Sequence, residues 1–218
     1  MFRKFIDHLV VTAPSLDAGA AFVRDALGVA PRPGGEHARM GTHNLLLRLG
    51  ESSYLEVMAA NPAAGRVTRP RWFALDTLAS DATPTLATWV ARTADIRAGS
   101  EAATEQLGAI ESMSRGALEW LITIPADGSM PLDGVAPALI EWHSDTHPAS
   151  RLDDHGLSLK KLVLFHPDPE RVEKLLKSLA IDGPVVVEKS AVAARLVAHI
   201  DTPQGMRLLS TASAEAAG

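Results

Sequence analysis

One pattern recurs three times along these 218 residues: a short apolar strand, a turn, a helix, then further strands. Self-similarity at a fixed spacing constrains a fold more than any single element, because such units bury their apolar faces only against one another. Sliding the chain by 80 positions lays Leu16 on Ile96, Gly19 on Gly99 and Leu27-Gly28 on Leu107-Gly108. Sliding it by 153 lays Leu9-Val10-Val11 on Leu162-Val163-Leu164 and Pro14 on Pro167. The reading is an α+β fold of repeated βαβββ modules. Modules at about 4–61 and 84–148 form one domain over 1–150, with a third, partial module over 151–218 packed on it.

Local signals place the elements. In the first unit Phe5–Thr12 reads as a strand, and Ser15 caps a helix over 15–28 that Gly28 stops. Residues 31–35 read as a Pro/Gly-rich loop, and 44–49 and 53–59 as strands around a Gly50-Glu51-Ser52 turn. The second unit has a helix predicted over 95–107, capped by Asp95 and ended by Gly108, with strands at 86–93, 110–114, 118–124 and 136–143. The third has a helix over 168–180, with Asp168 as N-cap and Pro169 at its first position. Residues 62–81, with Trp72 and Phe73, form a connector or lid.

Composition narrows the chemistry. The chain has no cysteine, which removes disulfides, thiolate metal sites and Cys nucleophiles. Any metal would be held by His, Asp, Glu or backbone oxygen. A net charge of −5 without a basic run argues against a nucleic-acid partner. No window resembles a membrane span, and the start does not read as a signal peptide; the expectation is a cytoplasmic protein that binds a small molecule. Neither a phosphate-binding loop nor a GxSxG elbow or HExxH motif occurs.

His8 and Glu56 stand inside otherwise apolar strands, where a charged group needs a partner. Metal ligation explains them, and so does a buried His–Glu hydrogen bond or simple outward exposure. Glu141, between Ile140 and Trp142, occupies the place of Glu56 in the second unit when that unit carries five extra residues, which points to a site shared between the units. His43 and Asn44 at a strand start, with Trp142 and His147 near a strand end, complete a predicted pocket wall. Glu141 and His147 are the candidates for moving a proton.

Asp7-His8-Leu9-Val10-Val11, Leu27-Gly28, the run from Met40 to Leu47, Tyr54-Leu55-Glu56-Val57, and Leu139-Ile140-Glu141-Trp142 with His147-Pro148 together resemble a glyoxalase-like domain of the vicinal oxygen chelate (glyoxalase/bleomycin resistance/dioxygenase) superfamily. The resemblance implies curved mixed sheets that form an open, barrel-like cleft. It also implies a divalent metal, Zn, Mn, Ni or Fe, held from the first and last module strands. His8 and Glu56 fall on two ligand positions, Glu141 on a third, and Thr88, a poor ligand, on the fourth. The implied function is a metal-dependent enzyme acting on a small oxygenated metabolite, of isomerase, lyase or dioxygenase type. The alternative is a metal-free small-molecule binding or sequestering protein of the same fold, its cavity lined by Trp72, Phe73, Trp89 and Trp142. A homodimer in which the third unit serves only structure is a further expectation.

Overall fold

The computed structural model describes residues 5–211. The first module runs β1 (Phe5–Thr12), α1 (Leu16–Leu27), β2 (Arg32–His37), β3 (Thr42–Arg48) and β4 (Tyr54–Ala60). The second runs β5 (Thr85–Arg92), α2 (Ile96–Ala102), β6 (Ala109–Arg115), β7 (Leu118–Ile124) and β8 (Ala138–Trp142). The third segment contributes β9 (Ser158–His166), α3 (Pro169–Ser178), β10 (Val185–Lys189), β11 (Arg195–Thr202) and β12 (Gly205–Ser210).

The first two modules share one sheet of order β2-β3-β4-β1-β5-β8-β7-β6, curled into a half-barrel. Each module pairs its first strand in parallel with its last, and the two first strands meet antiparallel at the centre. The order is therefore palindromic in module terms. Alternation along the strands makes two faces. Leu9, Val11, Leu55, Val57, Trp89 and Leu139 join the core on the convex side, under α1 and α2. Val10, Met58, Val90, Trp120, Ile122 and Ile140 form a second cluster on the concave side, with Trp72 and Phe73 of the connector.

Local chemistry sets the helix positions. Ser15 accepts the Ala18 N–H at 3.2 Å, and Gly28 closes α1 in the left-handed region at φ 78°. Gly19 lets α1 lie flat on the sheet, since a Cβ there would collide with Val57. The predicted helix over 95–107 ends instead at Ala102. Ala103 turns extended, which carries Leu107 into the core and Glu105 to a paired contact with Arg171 of α3 at 2.7 Å. All but the first residue of the predicted loop at 31–35 belongs to β2. Pro33 is tolerated because β2 is an edge strand, and the pairing slips between Pro33 and Gly35.

The third segment keeps the β-α-β-β-β element sequence but not the module topology. Its sheet has the order β10-β9-β11-β12, with β9 parallel to its immediate successor β10 and antiparallel to β11. Leu162, Leu164, Leu196, Ala198, Ile200 and Leu209 merge with the convex-side core, and Thr211 donates to the Leu86 carbonyl at 2.7 Å. The third segment thus backs the half-barrel, and the concave face is left for chemistry. Among the described residues no helix is long and apolar enough to cross a membrane.

Candidate functional site

Strand alternation alone would turn Asp7 away from His8. The β1–β5 register instead slips between Ile6, opposite Ala91, and His8, opposite Val90. Such a bulge turns two successive side chains toward one side, so Asp7 and His8 point together. Asp7 is fully buried and serves as a hub. One carboxylate oxygen accepts from His8 Nδ1 at 2.7 Å. The other accepts from Trp142 Nε1 at 3.0 Å and from His147 Nε2 at 2.9 Å. The Nδ1 of His147 accepts the Ala149 N–H at 3.3 Å, which fixes that ring with its proton on Nε2.

His8 carries the network into the cleft. Its Nε2 lies 3.4 Å from Glu56 Oε2, and its ring stacks on Tyr54 with centroids 4.6 Å apart. Asn44 Nδ2 donates to the other Glu56 oxygen. Burial alone would depress the His8 pKa, but the contacts with Asp7 and Glu56 outweigh it and push the group up to about 9. Burial would raise Glu56, yet the bond to His8 and its charge bring the carboxyl down to about 2. Asp7 too is held well below the usual carboxylate range, by His147 and His8 against the cost of its burial. At neutral pH the floor of the cleft is therefore an imidazolium between two carboxylates.

His37 and Arg115 close one side. Arg115 donates to His37 Nε2 at 3.2 Å, so the His37 proton sits on Nδ1, toward Thr42 Oγ1 at 3.2 Å. Burial lowers His37 to about 4, leaving the ring neutral. Trp120 and Trp142, 5.3 Å apart, and the stacked pair Trp72 and Phe73 supply aromatic walls. Together these residues line a small cleft open to solvent. The Trp72 indole N–H is buried without a hydrogen-bond partner.

The structure brings together some of the sequence-predicted residues and separates others. His8, Glu56, Asn44 and Trp142 meet at the cleft, and His147 stands behind it on Asp7. Glu141 does not join them. Ala138, Ile140 and Trp142 turn to the concave face, so Glu141 turns to the convex one. There its Oε2 accepts the Ile96 N–H at 2.7 Å, a free donor in the first turn of α2, and its Oε1 lies 2.8 Å from His143 Nε2. His43 is likewise turned away, because it alternates with the inward Asn44. The second module's counterpart of Glu56 also changes. In strand register Val10 faces Glu56, whereas Val90 faces Ala138. The position matching His8 is Thr88, whose hydroxyl is committed to the Gly134 carbonyl at 2.9 Å.

That donor set does not fit a divalent metal. His8 and Glu56 supply two donors, their counterparts Thr88 and Ala138 supply none, and among the described residues no group of three His, Asp or Glu side chains is placed to hold a metal ion. Sequence reasoning also missed Asp7, His37, Arg115 and Trp120. Only Asp7 left a signal, as a second charged residue beside His8 in an apolar strand.

A palindromic half-barrel of paired modules with a polar cleft on its concave face defines a class, and the sequence places the chain within it. The glyoxalase-like domain family model matches residues 6–180, and the chain belongs to that family. No curated protein matches it. A hypothetical protein from Staphylococcus aureus superposes with a TM-score of 0.62 at 14% identity, over 87% of this chain and 87% of that one. A Mn(II)-bound glyoxalase from Novosphingobium aromaticivorans superposes at 0.53 and 10% identity, over 96% of this chain and 83% of that one. A mutant 4-hydroxymandelate synthase from Streptomyces coelicolor gives 0.49 at 15% identity, over 96% of this chain and 63% of that one. At these identities the likeness is one of fold.

Proposed function

We propose that this chain binds a small planar molecule carrying a hydroxyl group, and that it does so without a metal. The observation that carries the reading is the His8–Glu56 pair at the cleft floor, with no third His, Asp or Glu placed to complete a metal site among the described residues. An imidazolium N–H and a carboxylate oxygen 3.4 Å apart offer a donor and an acceptor side by side. A hydroxyl is both acceptor and donor, so it satisfies the two together. Trp120, Trp142 and Tyr54 favour an aromatic ring next to that hydroxyl. Arg115 adds a positive charge at the same cleft, which suits a phenol with some anionic character.

A second reading, a metal-dependent lyase, isomerase or dioxygenase, draws support from Asp7. A carboxylate on the far nitrogen of a histidine is the usual support of a metal-bound imidazole, and a fold neighbour binds Mn(II). That reading needs donors beyond His8 and Glu56. Calorimetric titration with methyl 4-hydroxybenzoate separates the two. The expected result is binding that persists in EDTA and is lost in His8→Ala. Binding that appears only after Mn(II) or Zn(II) is added overturns the proposal in favour of the enzyme.

A further inference from the structure

Next to the cleft lies a second, smaller-mouthed recess, and both are bounded by Trp72 and Phe73. Its wall is largely apolar, formed by Leu107, Ile124, Met130, Pro131, Ala136 and Ala138. The partition between the cavities is unusual in two ways. Trp72 is 3% exposed, yet its indole N–H has no hydrogen-bond partner. An orphaned buried donor costs free energy and calls for an explanation. The next two residues, Phe73 and Ala74, hold left-handed backbone at φ 56° and 53°, a strained state for residues with a Cβ. The strain is held from both sides: Ala74 N–H donates to the Gly128 carbonyl at 2.8 Å, and Arg71 binds Asp76 and the Gly41 carbonyl. Backbone strain of this kind clusters at ligand clamps.

We infer that the two cavities form one bipartite site, in which the second takes the apolar tail of a ligand whose ring lies over His8 and Glu56, while the Trp72 N–H donates to an oxygen at the junction. The ligand class is an aryl hydroxyl joined through a carbonyl or ester to an alkyl chain. This rests on the metal-free binding reading above and adds the tail subsite and the recognition of the linking oxygen.

Calorimetry with methyl, ethyl, propyl and butyl 4-hydroxybenzoate on the intact chain tests it. Each methylene that enters the second cavity is expected to tighten binding about fourfold, from about 0.8 kcal/mol per buried CH2. Trp72→Phe keeps an aromatic ring and removes the N–H. It is expected to weaken the butyl ester about tenfold, the order expected for leaving a buried acceptor unpaired, and to change the binding of 4-hexylphenol, which lacks the oxygen, by less than about threefold. If the methyl ester binds but the series is flat, the tail subsite is refuted while the binding reading stands. Equal losses for the ester and the alkylphenol in Trp72→Phe refute the donor role. If no ester binds at millimolar concentration, with or without EDTA, the binding reading fails and the subsite with it.

Discussion

Replacing Glu56 with Gln tests the charge state on which the cleft depends. The amide keeps the shape but offers one acceptor and one NH2 where the carboxylate offered two acceptors. Asn44 Nδ2 and His8 Nε2 approach different oxygens of Glu56 as donors, and in the amide only one of those two positions still accepts. The arrangement that satisfies every group has the new amide accepting from Asn44 and donating to a neutral His8 Nε2, with the His8 proton kept on Nδ1 toward Asp7. The Glu56→Gln variant should therefore carry a neutral His8 at pH 7. The rise of His8 from 6.5 to about 9 corresponds to about 3 kcal/mol at neutral to acid pH. Asp7 and Glu56 share that stabilisation, so losing Glu56 should cost roughly 1–2 kcal/mol at about pH 6, or roughly 2–8 °C in Tm for a chain of this size. The sign follows from linkage. The folded pKa of His8 lies above its unfolded value, so its contribution is full below pH 6.5 and is lost as pH rises through about 9. That of Glu56 lies below, at about 2 against 4.5, so its contribution is present above pH 4.5 and lost as pH falls through about 2. The gap between wild type and variant should then narrow between about pH 6.5 and 9.5. Urea unfolding across that range, with NMR titration of the His8 ring, measures both. A wild-type His8 that titrates below its ordinary value, or a gap independent of pH, refutes the reasoning.

Other substitutions address other parts of the argument. Adding Mn(II) or Zn(II) to metal-stripped protein should shift the Tm by less than about 1 °C; a stoichiometric ion that raises it by about 5 °C and is lost in His8→Ala would show that the donor set is larger than His8 and Glu56. Glu141→Gln should lower stability by about 1 kcal/mol, the scale of a helix-cap contact, and leave methyl 4-hydroxybenzoate affinity unchanged; a loss of affinity of about tenfold would place Glu141 at the site. Gly134→Ala should destabilise by about 3 kcal/mol or more, because φ is 90° and the new Cβ would strike the Ala87 carbonyl oxygen; a loss below about 0.5 kcal/mol in chemical denaturation would mean that this turn relaxes freely.

The modules are legible because their signals are local: Ser15 and Gly28 bracket α1, and the same pattern returns 80 positions on. The face of each side chain is less legible. Residue type matches Glu141 to Glu56, but one residue of slip along a strand reverses every side chain. The true register sets Ala138 against Val90, the place of Glu56 against Val10. Asp7 shows the opposite error, since alternation puts it away from His8 and only the bulge against β5 brings it round. His37 and Arg115 meet across 78 positions, through pairing between modules that no local pattern encodes. The third segment repeats the element sequence of a module without its strand order, because a helix followed directly by an adjacent parallel strand satisfies the same apolar periodicity.

The palindromic sheet is filled asymmetrically. The ion pair comes from β1 and β4, while β7 and β8 provide the indole walls of Trp120 and Trp142. The charged pair and the two indoles are thereby drawn from different modules. A substitution at Trp120 can reshape the recess to suit a new guest without touching the proton balance beneath it, whereas Trp142 and His147 both donate to Asp7 and tie the second module to that balance, so a lineage built on this scaffold can diversify its ligands at Trp120 while those contacts stay fixed.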